Sequence, residues 1–308
     1  MKKIILSLMA GMVLFTSCDL LNNDPYDSFT KDNYFTSETN VEMYANYFYA
    51  EWTGYANNSG DFYFQFLNDN QANTGIQPWD FKQPTPSNGT WNACYQEIRR
   101  ANILLENIGK VDMPAASMDY YVSLARLYRA WQHFCVVRKF GDCYWVNHSL
   151  TTEDTDILYG PRQNRNIVVD SILTDLNYAV ANMGTKNADS RTAYNVYVAQ
   201  AIKAQICLFE GTYAKYHKND KDRSDKYLAE AKTAAEAIIN SGEFTLTPGA
   251  EGYRANYNSL ELAGNTEMIM YKNYVQNVLR HATQDYCCGS TPTNGMSKSA
   301  FNAYLKKD

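Results

Sequence analysis

The sequence lacks the motifs that mark several common enzyme classes. It has no glycine-rich phosphate-binding loop, no GxSxG sequence around a nucleophilic serine and no HExxH zinc motif. None of its seven cysteines forms a CxxC pair, so the cysteines do not indicate a zinc site. The apolar run near the N-terminus, residues 4–15, is too short to cross a bilayer.

Basic clusters are also missing. The chain carries 28 lysines and arginines against 33 aspartates and glutamates, a net charge of −5. Nucleic acids and anionic lipids attract proteins through patches of positive charge, so neither is expected as the main partner. Tyrosine, in contrast, is abundant, at 25 of 308 residues. Together with many loop asparagines and aspartates, it predicts a surface rich in flat aromatic faces and hydrogen-bonding edges.

The N-terminus has the pattern of a lipoprotein signal peptide. Lys2 and Lys3 precede the apolar run, and two small residues stand directly before Cys18. We therefore expect a signal peptide over residues 1–17, lipid attachment at Cys18 and a polar tether over residues 18–33. Ordinary cleavage near Ser17, which would leave Cys18 as a free thiol, is the alternative.

Helical periodicity runs through much of residues 34–308, which we expect to form one domain. Apolar residues recur at helical spacing in segments near 37–52, 91–108, 124–138, 167–183, 196–216 and 227–239. Small residues in the last pair, such as Gly211 and Ala231, let helices approach closely, as in tetratricopeptide repeats. The predicted fold class is all-α, built from tetratricopeptide-like helix pairs. Long irregular segments are expected at 53–90 and after Phe244.

Two local patterns have simple structural interpretations. Cys94, Cys135 and Cys207 fall on apolar helix faces and are predicted to be buried free thiols. Residues 220–225 alternate oxygen ligands like the beginning of a calcium loop, but they lack the glycine and glutamate that such a loop needs. We interpret them as a solvated helix-entry loop, and we expect no metal and no cofactor.

Several short strings resemble the SusD/RagB family of outer-membrane nutrient-binding lipoproteins. They are residues 91–95, Ala101 with Asn102, Arg129 with Ala130, residues 137–142, Tyr159 with Arg162, Asp175 with Leu176, Glu210 with Gly211, Ser241 with Gly242, and Asn265 with Glu267. These strings occur in the family's order. Cys143 and Tyr144 stand where the family usually has a small apolar residue and a proline. Family members are also considerably longer, so the resemblance implies that a C-terminal portion is missing here.

The resemblance implies a non-catalytic lipoprotein of the cell surface that binds oligosaccharides, or other nutrient oligomers such as peptides. It further implies anchoring in the outer membrane through the N-terminal lipid. The implied partner is a SusC-like TonB-dependent transporter, to which the ligand is delivered. The residues alone leave two alternatives open. One is a surface glycoside hydrolase, because carboxylate pairs are common in this sequence. The other is a tetratricopeptide-like scaffold that binds a partner protein.

Sugar recognition needs aromatic faces for pyranose rings and amides or carboxylates for hydroxyl groups, usually on loops held by a rigid scaffold. Segment 68–81 contains both and matches the family loop that commonly contributes to the ligand site. Its candidate ligand-binding residues are Asp69, Asn70, Trp79 and Phe81. Structural roles are the alternative, since the aromatic residues could anchor the loop and the polar ones could cap a turn.

A second candidate lies near the C-terminus. Arg280 and His281 can hydrogen-bond sugar hydroxyls or an acidic sugar, although a solvated histidine is the simpler interpretation. Trp91, Tyr128 and Trp131, in contrast, lie on helix faces and are predicted to belong to the core.

Overall fold

A computed structural model describes residues 31–51, 70–73, 89–186, 190–262, 264–275, 278 and 294–306. These residues are mainly helical, as predicted. The helices are α1 (Lys31–Tyr34), α2 (Glu38–Asn46), α3 (Gly89–Asn107), α4 (Ala115–Phe140), α5 (Thr155–Tyr159), α6 (Arg165–Asn182), α7 (Val196–Tyr213), α8 (Lys221–Ile239), α9 (Gly249–Asn258) and α10 (Lys298–Leu305). Short 3-10 helices follow α2 at Tyr47–Glu51 and α3 at Ile108–Lys110, and a π-helical turn, Ala214–Lys218, follows α7. Across these ranges, none of the helices is long and apolar enough to span a membrane.

The long helices pack against one another largely in chain order. Helix α3 lies against α4, α4 against α6, α6 against α7 and α7 against α8, while α2 packs on α4. This arrangement confirms the predicted helix pairs. Side chains that are at most 1% exposed fill the space between them, including Leu124, Leu127, Ile172, Leu176 and Ile206. Burial of this apolar surface is the main stabilising contribution to the fold.

Helices α7 and α8 show why small residues recur at the crossings. A Cβ atom added at Gly211 would lie only 2.7 Å from Cγ of Leu228. Tyr227 and Ala231 are buried in the same pair. The close approach therefore requires glycine at position 211, because any larger residue would push the two helices apart.

Four thiols lie within the described ranges, and all four are free. Cys94 and Cys207 are buried, as predicted, whereas Cys135 is only partly buried. Cys143 is also buried. Burial raises the pKa of Cys143 to about 11 and that of Cys207 to about 12. These thiols therefore stay protonated and unreactive at neutral pH.

The segment near Asp220 differs from its interpretation as a solvated loop. Helix α8 already begins at Lys221, and the Asp220 carboxylate caps it by accepting a hydrogen bond from the Arg223 amide at 3.0 Å. The side chain of Arg223 is largely buried and donates to Glu210 and Asp170. Residues 220–225 are therefore a helix cap at Asp220 and the first residues of α8, and Arg223 joins them to the core.

A buried polar network links α3, α4 and α6. The guanidinium of Arg129 donates to both carboxylate oxygens of Asp175, at 2.8 and 2.9 Å, and to the side-chain oxygen of Asn102 at 2.8 Å. Burial raises the pKa of Asp175, although Arg129 and Arg126 act in the opposite direction. The amide of Asn102 in turn donates to the carbonyls of Val146 and His148. The network therefore connects the helical core to the segment between α4 and α5.

A second buried group of charges joins α6, α7 and α8. Glu210 is 1% exposed, and Arg165 donates to its two carboxylate oxygens at 3.1 and 2.6 Å. Arg223 donates to the same carboxylate from α8. One anion is therefore shared by two cations in a site with little access to water.

His133 is expected to make the protein less stable as the pH falls from 7 to 5. The ring is fully buried, its Nδ1–H donates to the Arg129 carbonyl at 2.9 Å, and its Nε2 accepts from the Val146 amide at 3.1 Å. Burial lowers the pKa of His133 from 6.5 to about 3. Below pH 6.5 the unfolded chain takes up a proton that the folded chain does not, so unfolding becomes more favourable. We expect a loss of about 2 kcal/mol in the free energy of unfolding between pH 7 and pH 5, measured by urea denaturation.

Variants at two histidines separate this effect from other titrations. Replacement of His133 by glutamine should reduce the pH-dependent loss, whereas His217→Gln, at an exposed position, should retain it. An equal pH-dependent change in the unmodified chain and in His133→Gln would show that His133 does not stay neutral in the folded state.

Candidate ligand-binding groove

An open groove of about 580 Å³ lies beside α3. We call it the α3 groove. One wall is α3 itself, the second is the segment after α4, and the third is α5 with the turn that follows it. The lining residues are Trp91, Asn92, Tyr95, Gln96, Arg99, Tyr144, Val146, His148, Leu150, Ile157, Leu158, Gly160 and Arg162.

The wall formed by α3 follows from helical spacing. Trp91, Tyr95 and Arg99 are four residues apart and therefore share one face of the helix. The Trp91 ring packs on Tyr95, with centroids 5.1 Å apart, and on Phe140, at 5.2 Å. Asn92 and Gln96, one position further along, are exposed at the groove. This face therefore combines aromatic rings with amide groups.

The second wall is held in place by hydrogen bonds from the helices. The Tyr95 hydroxyl accepts from the backbone amide of Tyr144 at 3.0 Å and donates to its carbonyl at 2.9 Å. Burial raises the pKa of Tyr95, so the hydroxyl stays protonated. The amide of Asn102 holds the carbonyls of Val146 and His148, at 3.1 and 3.0 Å. A wall fixed in this way is preorganised and loses little entropy when a ligand binds.

The third wall depends on a glycine. The Tyr144 hydroxyl donates to the Asp156 carbonyl at 2.9 Å, which ties α5 to the second wall. A Cβ atom at Gly160 would lie 2.1 Å from that carbonyl oxygen and 2.5 Å from the Tyr144 hydroxyl. A larger residue at position 160 would therefore displace this wall.

Polar groups lie around the aromatic centre of the groove. The guanidinium carbon of Arg162 lies 4.6 Å from the centroid of the Trp91 ring, a cation–π contact. The Nε2 of His148 lies 2.9 Å from Oδ1 of Asp154. Hydrogen bonds from Thr151 and His148 lower the pKa of Asp154, so its carboxylate remains ionised behind the histidine.

This arrangement is suited to binding a sugar. The rings offer apolar faces, and the amides and guanidinium groups offer hydrogen bonds to hydroxyl groups. Glycoside hydrolysis generally needs two carboxylic residues that flank the scissile bond. Aspartate and glutamate are both absent from the described lining of the α3 groove.

A second cavity, of about 730 Å³, lies on the other side of the α3 N-terminus. The described residues that line it include Glu97, Arg138 and Lys139 but no aromatic ring. Because stacking on a ring is a principal means of sugar recognition, the α3 groove is the better candidate.

Most of the residues predicted as ligand-binding lie outside the described part of the chain. These are Asp69, Trp79, Phe81, Arg280 and His281, and Cys18 lies outside it as well. Asn70 is described and occupies an exposed turn, where its carbonyl accepts from the Ser297 amide at 3.0 Å. It does not line the α3 groove.

The turn at Asn70 leads into a short antiparallel ladder. Strand β1 (Gln71–Asn73) pairs with β2 (Asn294–Met296), with Gln71 opposite Met296. The ladder therefore joins the candidate segment 68–81 to the C-terminal part of the chain.

Trp91 has a second role beyond the predicted core position. We predicted it as a core residue, and its ring does pack on the core, but it also lines the groove. Tyr128, in contrast, is buried as predicted, and Trp131 is partly buried. The signal that was missed is the combination of aromatic residues at 91 and 95 with exposed amides at 92 and 96.

Comparison with known families gives a match over residues 19–208. The matching family model is described as SusD-like, "starch-binding associating with outer membrane". A search of curated protein sequences finds no significant match.

Solved structures with the same fold include several SusD-like proteins. One from Bacteroides fragilis is 20% identical, with a TM-score of 0.64 over 83% of this chain and 48% of that one. Another from the same species, described as a carbohydrate-binding protein, is 17% identical, with a TM-score of 0.63 over 86% and 52% of the two chains. A laminarin-binding SusD-like protein is 17% identical, with a TM-score of 0.59 over 77% and 51%. The chain spans about half the length of these structures.

Proposed function

Because the chain belongs to the SusD-like family, whose model is described as starch-binding and associated with the outer membrane, we propose that it is a non-catalytic protein that binds oligosaccharides in the α3 groove. The main support is the combination of a preorganised wall with aromatic rings and exposed amides in one open groove. These are the groups that a sugar requires, in a form that needs little rearrangement on binding.

The proposed binding mode follows from the positions of the groups. A sugar ring lies against Tyr144 and beside the Trp91 ring, whose face Arg162 partly covers, and its apolar face displaces water there. The side-chain amides of Asn92 and Gln96, both on α3, form hydrogen bonds with the hydroxyl groups of the sugar. The hydroxyls of Tyr95 and Tyr144 are engaged with backbone groups, so these residues contribute their rings and hold the walls in position.

The cellular role extends this binding activity. The protein is anchored in the outer membrane by a lipid on Cys18, faces the cell exterior and transfers its ligand to a SusC-like TonB-dependent transporter. The supporting observations are the leader pattern before Cys18 and the family's association with the outer membrane. Labelling of the expressed protein with a radioactive fatty acid tests the anchor, and a Cys18→Ala variant that keeps the label would contradict it.

Titration with defined oligosaccharides tests the binding function. Starch and laminarin oligosaccharides are suitable first probes, because the family model and one similar structure are described by those ligands. Saturable binding without release of shorter products is the expected result, with calorimetry and product chromatography run on the same samples. Turnover of the bound glycan would favour the hydrolase, and binding of a protein partner with no glycan binding would favour the scaffold.

A further inference from the structure

The charged side chains in the described lining of the α3 groove are basic, although the whole protein is acidic. The chain carries a net charge of −5, yet the described lining contains Arg99 and Arg162 and no carboxylate. His148 is the other titratable base in the lining, and it is already paired with Asp154. Two guanidinium groups that have no carboxylate partner among the described residues therefore line the space in which the ligand is proposed to bind.

Arg162 is the more available of the two. Its side chain is exposed, and with the described residues it forms no hydrogen bond and no ion pair. Its guanidinium is held over the Trp91 ring, with the central carbon 4.6 Å from the ring centroid. Contact through the face of a planar guanidinium leaves the N–H groups at its edge available for a ligand. The contact also restricts the side chain before the ligand arrives.

Arg99 is partly engaged. One of its nitrogens donates to the Leu150 carbonyl, and within the described ranges it has no acidic partner. This bond directs the guanidinium toward the second wall of the groove. Arg99 is therefore positioned to add a second positive charge near the bound ligand.

We propose that the α3 groove selects acidic oligosaccharides, in which the edge of the Arg162 guanidinium binds a uronic acid carboxylate while the sugar lies beside Trp91. The inference rests on the proposed function, because it specifies the class of sugar bound at the same site. A planar carboxylate accepts two parallel hydrogen bonds from a guanidinium, whereas a neutral hydroxymethyl group cannot. Aromatic and amide groups around the arginines favour a sugar over an acidic peptide.

Matched ligand pairs test this selectivity. The probes are oligosaccharides of galacturonate, mannuronate and glucuronate, each compared with its carboxyl-reduced counterpart, which keeps the ring skeleton and loses the charge. In at least one pair the acidic member should bind about tenfold more tightly, because a charge-assisted, bidentate contact is lost in the neutral one. The difference should shrink as salt is raised from 50 to 500 mM, because the groove is open to screening ions.

Two variants place the effect at Arg162. Arg162→Gln should remove the preference for the acidic member and leave binding of the neutral member within about twofold, since the neutral sugar lacks the group that pairs with the charge. Arg254→Gln, an exposed arginine on α9 that does not line the groove, is the control and should keep the preference.

The outcomes separate the inference from the proposed function. Equal binding of both members in every pair would overturn the acidic selectivity and leave oligosaccharide binding intact. No binding of any acidic or neutral oligosaccharide would overturn both. Tighter binding of a glutamate-rich peptide than of every uronate oligosaccharide would assign the arginines to a peptide ligand and also overturn the inference.

Discussion

Replacement of Glu210 by alanine is expected to lower the free energy of unfolding by about 3–5 kcal/mol, which is the usual cost of removing one member of a buried ion pair. The loss is large because the Glu210 carboxylate forms ion pairs with both Arg165 and Arg223. Arg165 also lies over the Tyr213 ring, with its guanidinium carbon 4.1 Å from the centroid. Both cations would remain in a site with little access to water. Urea denaturation followed by circular dichroism measures the change.

A surface glutamate provides the matched control. Glu236 lies on α8 and faces Lys232 at 3.6 Å, with both side chains more than half exposed. Its replacement by alanine should change stability by less than about 0.5 kcal/mol, as is typical of exposed i,i+4 pairs. A Glu210→Ala variant that loses less than about 1 kcal/mol would mean that the two arginines reach water or other acceptors in the folded protein.

Replacement of Trp91 by alanine is expected to weaken oligosaccharide binding about tenfold or more. A sugar ring that covers about 60 Å² of apolar surface gains about 1.5 kcal/mol from burial, which corresponds to roughly a factor of ten in affinity. The indole also supports Arg162 from one face, so its removal releases a second binding group. Calorimetric titration of the variant with the best ligand measures the loss.

Controls separate the lost binding surface from a disturbed fold. Trp131→Ala removes a partly buried indole on α4 that does not line the groove, and it should leave affinity within about twofold. Asn92→Ala and Gln96→Ala alter exposed side chains, so each should fold normally and lose affinity several-fold through one hydrogen bond. Unchanged affinity in Trp91→Ala would exclude the groove as the binding site.

The central helices could be predicted because they have an apolar stripe on one face. Helix α4 shows where that signal fails. Periodicity located residues 124–138, whereas the helix begins at Ala115, and Tyr120 and Tyr121 in its first turns are buried. A helix enclosed on several sides carries buried polar and aromatic residues that do not follow a single stripe.

Helices α9 and α10, which follow Phe244, were not predicted because they bury too little apolar surface to give a periodic pattern. Neither α9 nor α10 contains a buried residue. Their local signals are weak, since Pro248 precedes α9 without a side-chain cap, although Ser297 does cap α10 by accepting from the Ala300 amide. The first predicted helix, 37–52, is α-helical only from Glu38 to Asn46 and continues as a 3-10 helix. Element ends and weakly packed helices depend on tertiary contacts that periodicity does not encode.

The groove could be predicted only in part. Two of the strings that resemble the family help to hold the second wall of the groove. Asn102 donates to the carbonyls of Val146 and His148, and Arg129 donates to the side-chain oxygen of Asn102. Their pairing could not be deduced from spacing, because Arg129 and Asp175 are 46 positions apart in the chain. Binding residues usually lie on loops, and this favoured segment 68–81 as the site. The aromatic and amide groups on α3 were not predicted as binding residues, because they lie on a helix.

A crystal structure of the chain with a bound oligosaccharide tests the proposed site most directly. We expect a sugar ring within about 4 Å of Trp91, the distance of van der Waals contact. The amides of Asn92 or Gln96 should lie at hydrogen-bond distance from its hydroxyl groups. A sugar bound elsewhere, for example against residues 68–81 with the α3 groove unoccupied, would contradict this assignment.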